Sequence, residues 1–114
     1  MEQKPIVTIS QKQGVSILEI KGDVTSIAEG PILDAYQKVT KESAKKILLK
    51  FNQSDYINSA GIAIIIAMVS DGQKQKQKIG VTGLSNHFKK IFDIIGLVDY
   101  LEIYDTENDA LTKL

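Results

Sequence analysis

The chain has 114 residues, enough for one domain with a single core and too few for a second. Hydrophobic residues make up 43% and charged residues 25%, as in soluble globular proteins, and the 14 basic and 14 acidic side chains cancel, so net charge gives no reason to expect nucleic acid or an anionic membrane as partner. The absence of cysteine excludes disulfides and thiolate metal sites, and a lone histidine excludes a multi-histidine metal site.

The amino terminus, Met1-Glu2-Gln3-Lys4-Pro5, lacks the apolar stretch of a signal peptide. The longest apolar run, Ile62 to Val69, falls short of the roughly 20 residues that span a bilayer. The expectation is a cytoplasmic single domain with no membrane span.

Pro5 to Gln11 alternates between apolar and polar residues and reads as a strand, an edge one because of Pro5. Lys12-Gln13-Gly14 reads as a hairpin turn. A second strand over Val15 to Ile20 offers Val15, Ile17 and either Ile20 or Leu18 to the core, and Gly22 ends it. Asp23-Val24-Thr25-Ser26 supplies several possible caps, and Pro31 fits only a first helical turn. A helix is therefore expected from near Ile27 or Glu29 to about Thr40, with Ile32, Leu33, Tyr36 and Val39 on one face and Lys38 and Lys41 in its last turn.

Ile47-Leu48-Leu49, bounded by lysines, predicts a central strand covered on both faces. A loop through Asp55 leads to Asn58, a helix cap, with Ser59 at the first helical position. That helix runs to about Gln73, and its nearly all-round apolar character predicts deep burial. The alternating Gln73 to Lys78 reads as a solvated helix end and turn; the other reading is a basic tract for a phosphate-bearing partner.

Ile79 to Thr82 is a short buried strand, Gly83-Leu84-Ser85 a turn, and Ser85 or Asn86 caps a helix with Phe88, Ile91, Phe92 and Ile95 facing the core. Gly96 suits a left-handed helix end with Leu97 as its apolar partner. Leu101 to Tyr104 is a last strand, and a final helix from Glu107 to about Lys113 turns Ala110 and Leu111 inward. The order β-β-α-β-α-β-α-β-α predicts an α/β fold: a mostly parallel mixed sheet with one antiparallel edge and helices packed against it.

The inventory for catalysis is poor. No phosphate-binding P-loop, dinucleotide glycine motif or Gly-x-Ser-x-Gly elbow occurs. A serine hydrolase would have to use His87, which sits in the first turn of a helix where a surface position is ordinary. Asp23, Asp55, Asp99 and Asp105 all fall in loops, as caps or solvated charges. No enzyme, metal or cofactor is expected.

Ser59 has a physical property of its own. At a helix start, several backbone N–H groups lack intrahelical partners and the dipole adds positive potential. A phosphate there is accommodated locally and changes the surface by about −1.5 to −2 charges. Ala60 and Gly61 are expected to leave the backbone approachable. The plain alternative is that Ser59 only begins a helix capped by Asn58.

Tyr56-Ile57-Asn58-Ser59-Ala60-Gly61-Ile62 resembles the phosphorylation segment of bacterial anti-anti-sigma factors (anti-sigma factor antagonists) of the STAS domain family. Lys21-Gly22-Asp23-Val24-Thr25 resembles the family's motif after the second strand, and Phe88 to Leu97 resembles its helix end before Gly-Leu. The similarity spans essentially the whole chain. It implies a STAS-like domain whose unphosphorylated form binds an anti-sigma factor that is also a serine kinase, releasing a sigma factor. Phosphorylation at Ser59 weakens the complex, and a serine phosphatase resets it. The implied docking face comprises Asp23, Val24, Thr25, Asp55, Tyr56, Asn58, Ser59, Ala60, Gly61, Leu84 and Ser85. Asn58 stands where the family usually has Asp, and Thr25 where it has an acidic residue. The alternative use within the family is a non-switching subunit or scaffold: a stress-signalling complex, a lipid-transport complex or a two-component pathway regulator.

Overall fold

A computed structural model describes residues 3–52 and 56–114. Strands β1 (Ile6–Lys12) and β2 (Val15–Lys21) form an antiparallel hairpin. Its two turn residues, Gln13 and Gly14, both take left-handed conformations (φ 52° and 77°), the pair that matches the twist of the flanking strands. A 3-10 turn (Ser26–Ala28) leads into α1 (Glu29–Lys41). β3 (Lys46–Lys50), α2 (Ser59–Lys74), β4 (Lys78–Thr82) and α3 (Asn86–Ile94) follow. A second 3-10 turn (Leu97–Asp99), β5 (Glu102–Ile103) and α4 (Glu107–Lys113) complete the chain. The sheet order is β1-β2-β3-β4-β5, with β1 alone antiparallel, so the expected architecture holds.

Both sheet faces are covered. Leu18, Ile20, Ile47, Leu49 and Val81 join Ile32, Tyr36 and Val39 of α1, Ile65 and Met68 of α2, and Phe88 and Phe92 of α3 in the main core. Val15, Ile17 and Leu48 on the opposite face pack against Tyr104 and against Ala110 and Leu111 of α4. The sequence left open whether Leu18 or Ile20 faces the core. Both do, and Val15 and Ile17 point the other way into a second, smaller core that α4 creates.

Three expectations change. The last strand keeps only Glu102–Ile103, flanked by the buried Leu101 and Tyr104. Ile95 is 46% exposed, because α3 ends at Ile94 and Gly96 (φ 81°) turns the chain away before Ile95 can face inward. The helix α2 is not deeply buried all round: its outer face exposes Ala63, Ile66 and Ala67, since the sheet covers only one side of it.

The run Gln73 to Lys78 is mostly exposed, but Gln77 is buried. Its Nε2 donates to Thr40 Oγ1 (3.0 Å) and to the Ala44 carbonyl (3.2 Å), and its Oε1 lies 2.8 Å from the Tyr36 hydroxyl. That hydroxyl also donates to Asp71 Oδ2 at 2.7 Å. The cluster ties the end of α1 to the turn after α2, and burial pushes the Tyr36 phenol up to about 12.

Candidate functional site

The site is the start of α2 and the loop after β2, joined into one unit. Asn58 is extended and caps α2, its Oδ1 accepting from the Gly61 N–H at 2.9 Å. Its carbonyl accepts the first helical bond, from the Ile62 N–H at 2.9 Å. Among the described residues no acceptor reaches the N–H groups of Ser59 and Ala60. Ser59 is exposed, at the first position of a 16-residue helix. It thus sits where an added anion meets unsatisfied donors and the positive end of the helix.

The residues after β2 fasten to this helix start along their backbone. Asp23 Oδ1 accepts the Tyr56 N–H at 2.9 Å. The Val24 N–H donates to the Tyr56 carbonyl at 2.8 Å, and the Asn58 N–H donates back to the Val24 carbonyl at 3.1 Å. Val24 and Ile57 form an isolated parallel bridge beyond the ends of β2 and β3. Gly61 closes the unit, because a Cβ there would stand 2.1 Å from the Val24 carbonyl oxygen. The glycine faces inward and admits neighbouring main chain, which corrects the expectation that it leaves the backbone open to a partner.

The turn after β4 stands alongside. Gly83 is left-handed (φ 84°), and a Cβ would lie 1.9 Å from the Phe51 carbonyl. Ser85 caps α3, its Oγ accepting from the Phe88 N–H at 3.3 Å. Tyr56 is 57% exposed and sets its ring edge-on to Phe88, with centroids 6.0 Å apart. Phe88 therefore props the surface tyrosine from beneath, a role the sequence reading gave only to the core. His87 is exposed beside it, its ring 5.0 Å from that of Phe88.

The expected docking residues fall into two sets. Asp23, Tyr56 and Ser59 are exposed, and Asn58, Ala60 and Ser85 partly so. Val24, Thr25, Gly61 and Leu84 are buried, so they carry the surface without presenting side chains to it. Asp55 lies outside the described residues. On the far side of the sheet, Glu107 joins Lys50 (3.1 Å) and Lys12 (3.2 Å), and Lys50 also approaches Glu19 at 3.7 Å. The hydrogen bond from Lys50, above all, holds the Glu107 carboxyl below its ordinary value and raises Lys50 above its own. Among the described residues no group of three or more His, Asp or Glu stands ready to hold a metal, and no helix is long and apolar enough to cross a membrane.

Fold and site together define a small α/β module that presents one helix start on a braced loop. The STAS domain model matches residues 7–110, and the chain belongs to that family. Its relatives include the anti-sigma-F factor antagonist RsfB of Mycobacterium tuberculosis, 24% identical over 106 residues that cover 93% of this chain and 86% of that protein. An anti-sigma F factor antagonist of Paenibacillus polymyxa is 19% identical over 109 residues, covering 95% and 93% of the two chains. The crystal structure of an anti-sigma factor antagonist from Mycobacterium paratuberculosis superposes with a TM-score of 0.81 at 19% identity, covering 98% of this chain and 97% of that one. The Bacillus cell-fate determinant SpoIIAA in its phosphorylated form gives 0.69 at 14% identity, covering 94% and 97%. At these identities the two structures show a shared fold.

Proposed function

We propose that this chain is an anti-sigma factor antagonist, a binding module switched by phosphorylation at Ser59. Its unphosphorylated face, built on Asp23, Tyr56, Asn58, Ser59, Ala60 and Ser85, binds an anti-sigma factor that is also a serine kinase, and a sigma factor is released. Phosphate transfer to Ser59 Oγ ends the complex, and a serine phosphatase restores the free hydroxyl. The observation that carries this reading is the exposed Ser59 beside the N–H groups of Ser59 and Ala60, which have no acceptor among the described residues. A phosphate accepted by those donors remains at the surface, where its charge and bulk meet the partner and leave the core alone. The relatives named as anti-sigma factor antagonists support the role.

The test is affinity purification of the chain from its own cells, followed by mass spectrometry of the Ser59 peptide. A co-purifying ATP-binding kinase and phosphoserine at Ser59 are expected. Stable recovery of a large assembly with Ser59 unmodified under every condition would overturn the switch in favour of a non-switching scaffold.

A further inference from the structure

All 14 basic residues are lysines, and the fold distributes them unevenly. Lys12, Lys21, Lys50 and Lys89 form ion pairs. Lys41, Lys45, Lys46, Lys74, Lys76 and Lys78 form none among the described residues, and they lie in or directly flank two adjacent turns. These turns join α1 to β3 and α2 to β4, and the Lys78 N–H donates to the Lys45 carbonyl at 2.8 Å. Lys46 and Lys78 are direct neighbours across β3 and β4, on the same sheet face.

Helix dipoles account for Lys41 and Lys74, which lie in the last turns of α1 and α2. They do not account for Lys45, Lys46, Lys76 and Lys78, and like charges directly across two strands cost stability. Glu42 is the acid within these turns, while Asp71 is engaged by Tyr36, and Asp99 and Glu102 stand to one side, sharing a cleft with Lys78. A chain with no net charge therefore carries a basic pole at the amino-terminal ends of its central strands.

We propose that this pole is a docking surface for an anionic lipid bilayer. The chemistry of the pole selects that partner over other polyanions. Lysine is a point charge without the two-pronged fork that grips an individual carboxylate or phosphate. The residues of the two turns, Glu42 to Lys45 and Gln75 to Gln77, include no aromatic side chain to stack on a base and no large apolar one to anchor a protein partner. What they offer is unpaired positive charge without direction, the match for a plane of lipid headgroups. The α2 helix, 16 residues and so about 24 Å long, separates this pole from Ser59. Docked here, the chain holds its phosphoacceptor end away from the membrane.

The test is co-sedimentation of the full chain with vesicles of phosphatidylcholine, with and without phosphatidylglycerol. Binding is expected only to the anionic vesicles, at low salt, and is reversed by high salt. Removing one lysine is expected to weaken partition by about fivefold, so Lys45→Gln/Lys46→Gln/Lys76→Gln/Lys78→Gln together lose several hundredfold. The charge-matched variant Lys4→Gln/Lys21→Gln/Lys89→Gln/Lys90→Gln is expected to keep most of the binding, and Ser59→Asp all of it. Circular dichroism establishes that each variant is folded. The proposal is overturned if the chain stays in the supernatant with anionic vesicles, if the two lysine sets lose equally, or if duplex DNA binds the same pole more tightly than the vesicles do.

Discussion

Replacing Gly61 with alanine sets two physical effects against each other. Helix propensity alone predicts a gain, since glycine inside a helix costs about 1 kcal/mol relative to alanine. The close approach predicts the reverse. The new Cβ would lie 2.1 Å from the Val24 carbonyl oxygen, against an ordinary contact of about 3.5 Å, so the strand extension must retreat by more than ~1 Å. The obstacle is main chain, which has no rotamer to change. Retreat breaks the bonds Val24 makes to Tyr56 (2.8 Å) and Asn58 (3.1 Å), each worth about 0.5–1.5 kcal/mol. Overpacking adds about 1–3 kcal/mol. After the propensity gain is deducted, Gly61→Ala is expected to destabilise by about 1–5 kcal/mol, lowering Tm by roughly 5–20 °C. Thermal and urea unfolding followed by circular dichroism measure this directly. Gly30→Ala is the internal control: nothing lies within 4 Å of a Cβ there, so propensity acts alone and a gain of about 0.5–1 kcal/mol is expected. A Gly61→Ala protein that melts at or above the parent temperature would show that the loop after β2 is not pressed against the helix start, and the braced site would fall with it.

At the proposed switch, Ser59→Ala is expected to melt within a degree or two of the parent and to bind the proposed kinase partner constitutively, while Ser59→Asp stays folded and binds at least tenfold more weakly in calorimetry. Tyr36→Phe removes the hydroxyl that serves Asp71 and Gln77; a loss of about 1–3 kcal/mol in urea unfolding is expected, and an unchanged midpoint would deny the cluster a structural role. Because the folded state holds Glu107 below its ordinary value, its contribution is present above the unfolded pKa and is lost as pH falls through the folded one. Glu107→Gln is thus expected to flatten the acid limb of stability against pH. Tyr36 and Tyr104 show the opposite sign: both are pushed up to about 12, so the stability they confer is intact below the ordinary tyrosine range and disappears as pH rises through the raised values. Tyr104→Phe is accordingly expected to soften alkaline unfolding.

Much of this fold is legible because its signals are local. Asn58 and Ser85 are capping residues at the feet of apolar runs, Pro31 fits a first turn, and Gly96 takes the left-handed helix end its position suggests. The two-sided burial of β3 follows from three consecutive aliphatics between lysines. The rest depends on contacts between distant segments. That α4 would roof the far side of the sheet, giving Val15 and Ile17 a core of their own, has no sign in β2. The exposed stripe of Ala63, Ile66 and Ala67 on α2 is indistinguishable in composition from its buried face. In the candidate site, the helix start at Ser59 and its Asn58 cap are readable in one heptapeptide. Which of the expected docking residues carry the surface and which present it was not readable, because burial of Val24 and Leu84 is set by the strand extension and by the Gly83 turn. The basic pole was hidden for a simpler reason: a sum over the chain erases where charges stand.

The brace between Val24 and the start of α2 bears on how fast this protein can respond. Two main-chain hydrogen bonds, the Asp23 carboxylate and a glycine without clearance leave Ser59, the proposed acceptor, no hinge on which to swing. A modification there has nothing to relay through the interior. Under the proposed switch, its message is complete once the phosphoryl group is in place, and the pace of signalling passes to the enzymes that add and remove it. A switch of the proposed kind filters nothing and stores nothing: it would register the balance of two opposing activities at each moment, with memory residing only in its modified fraction.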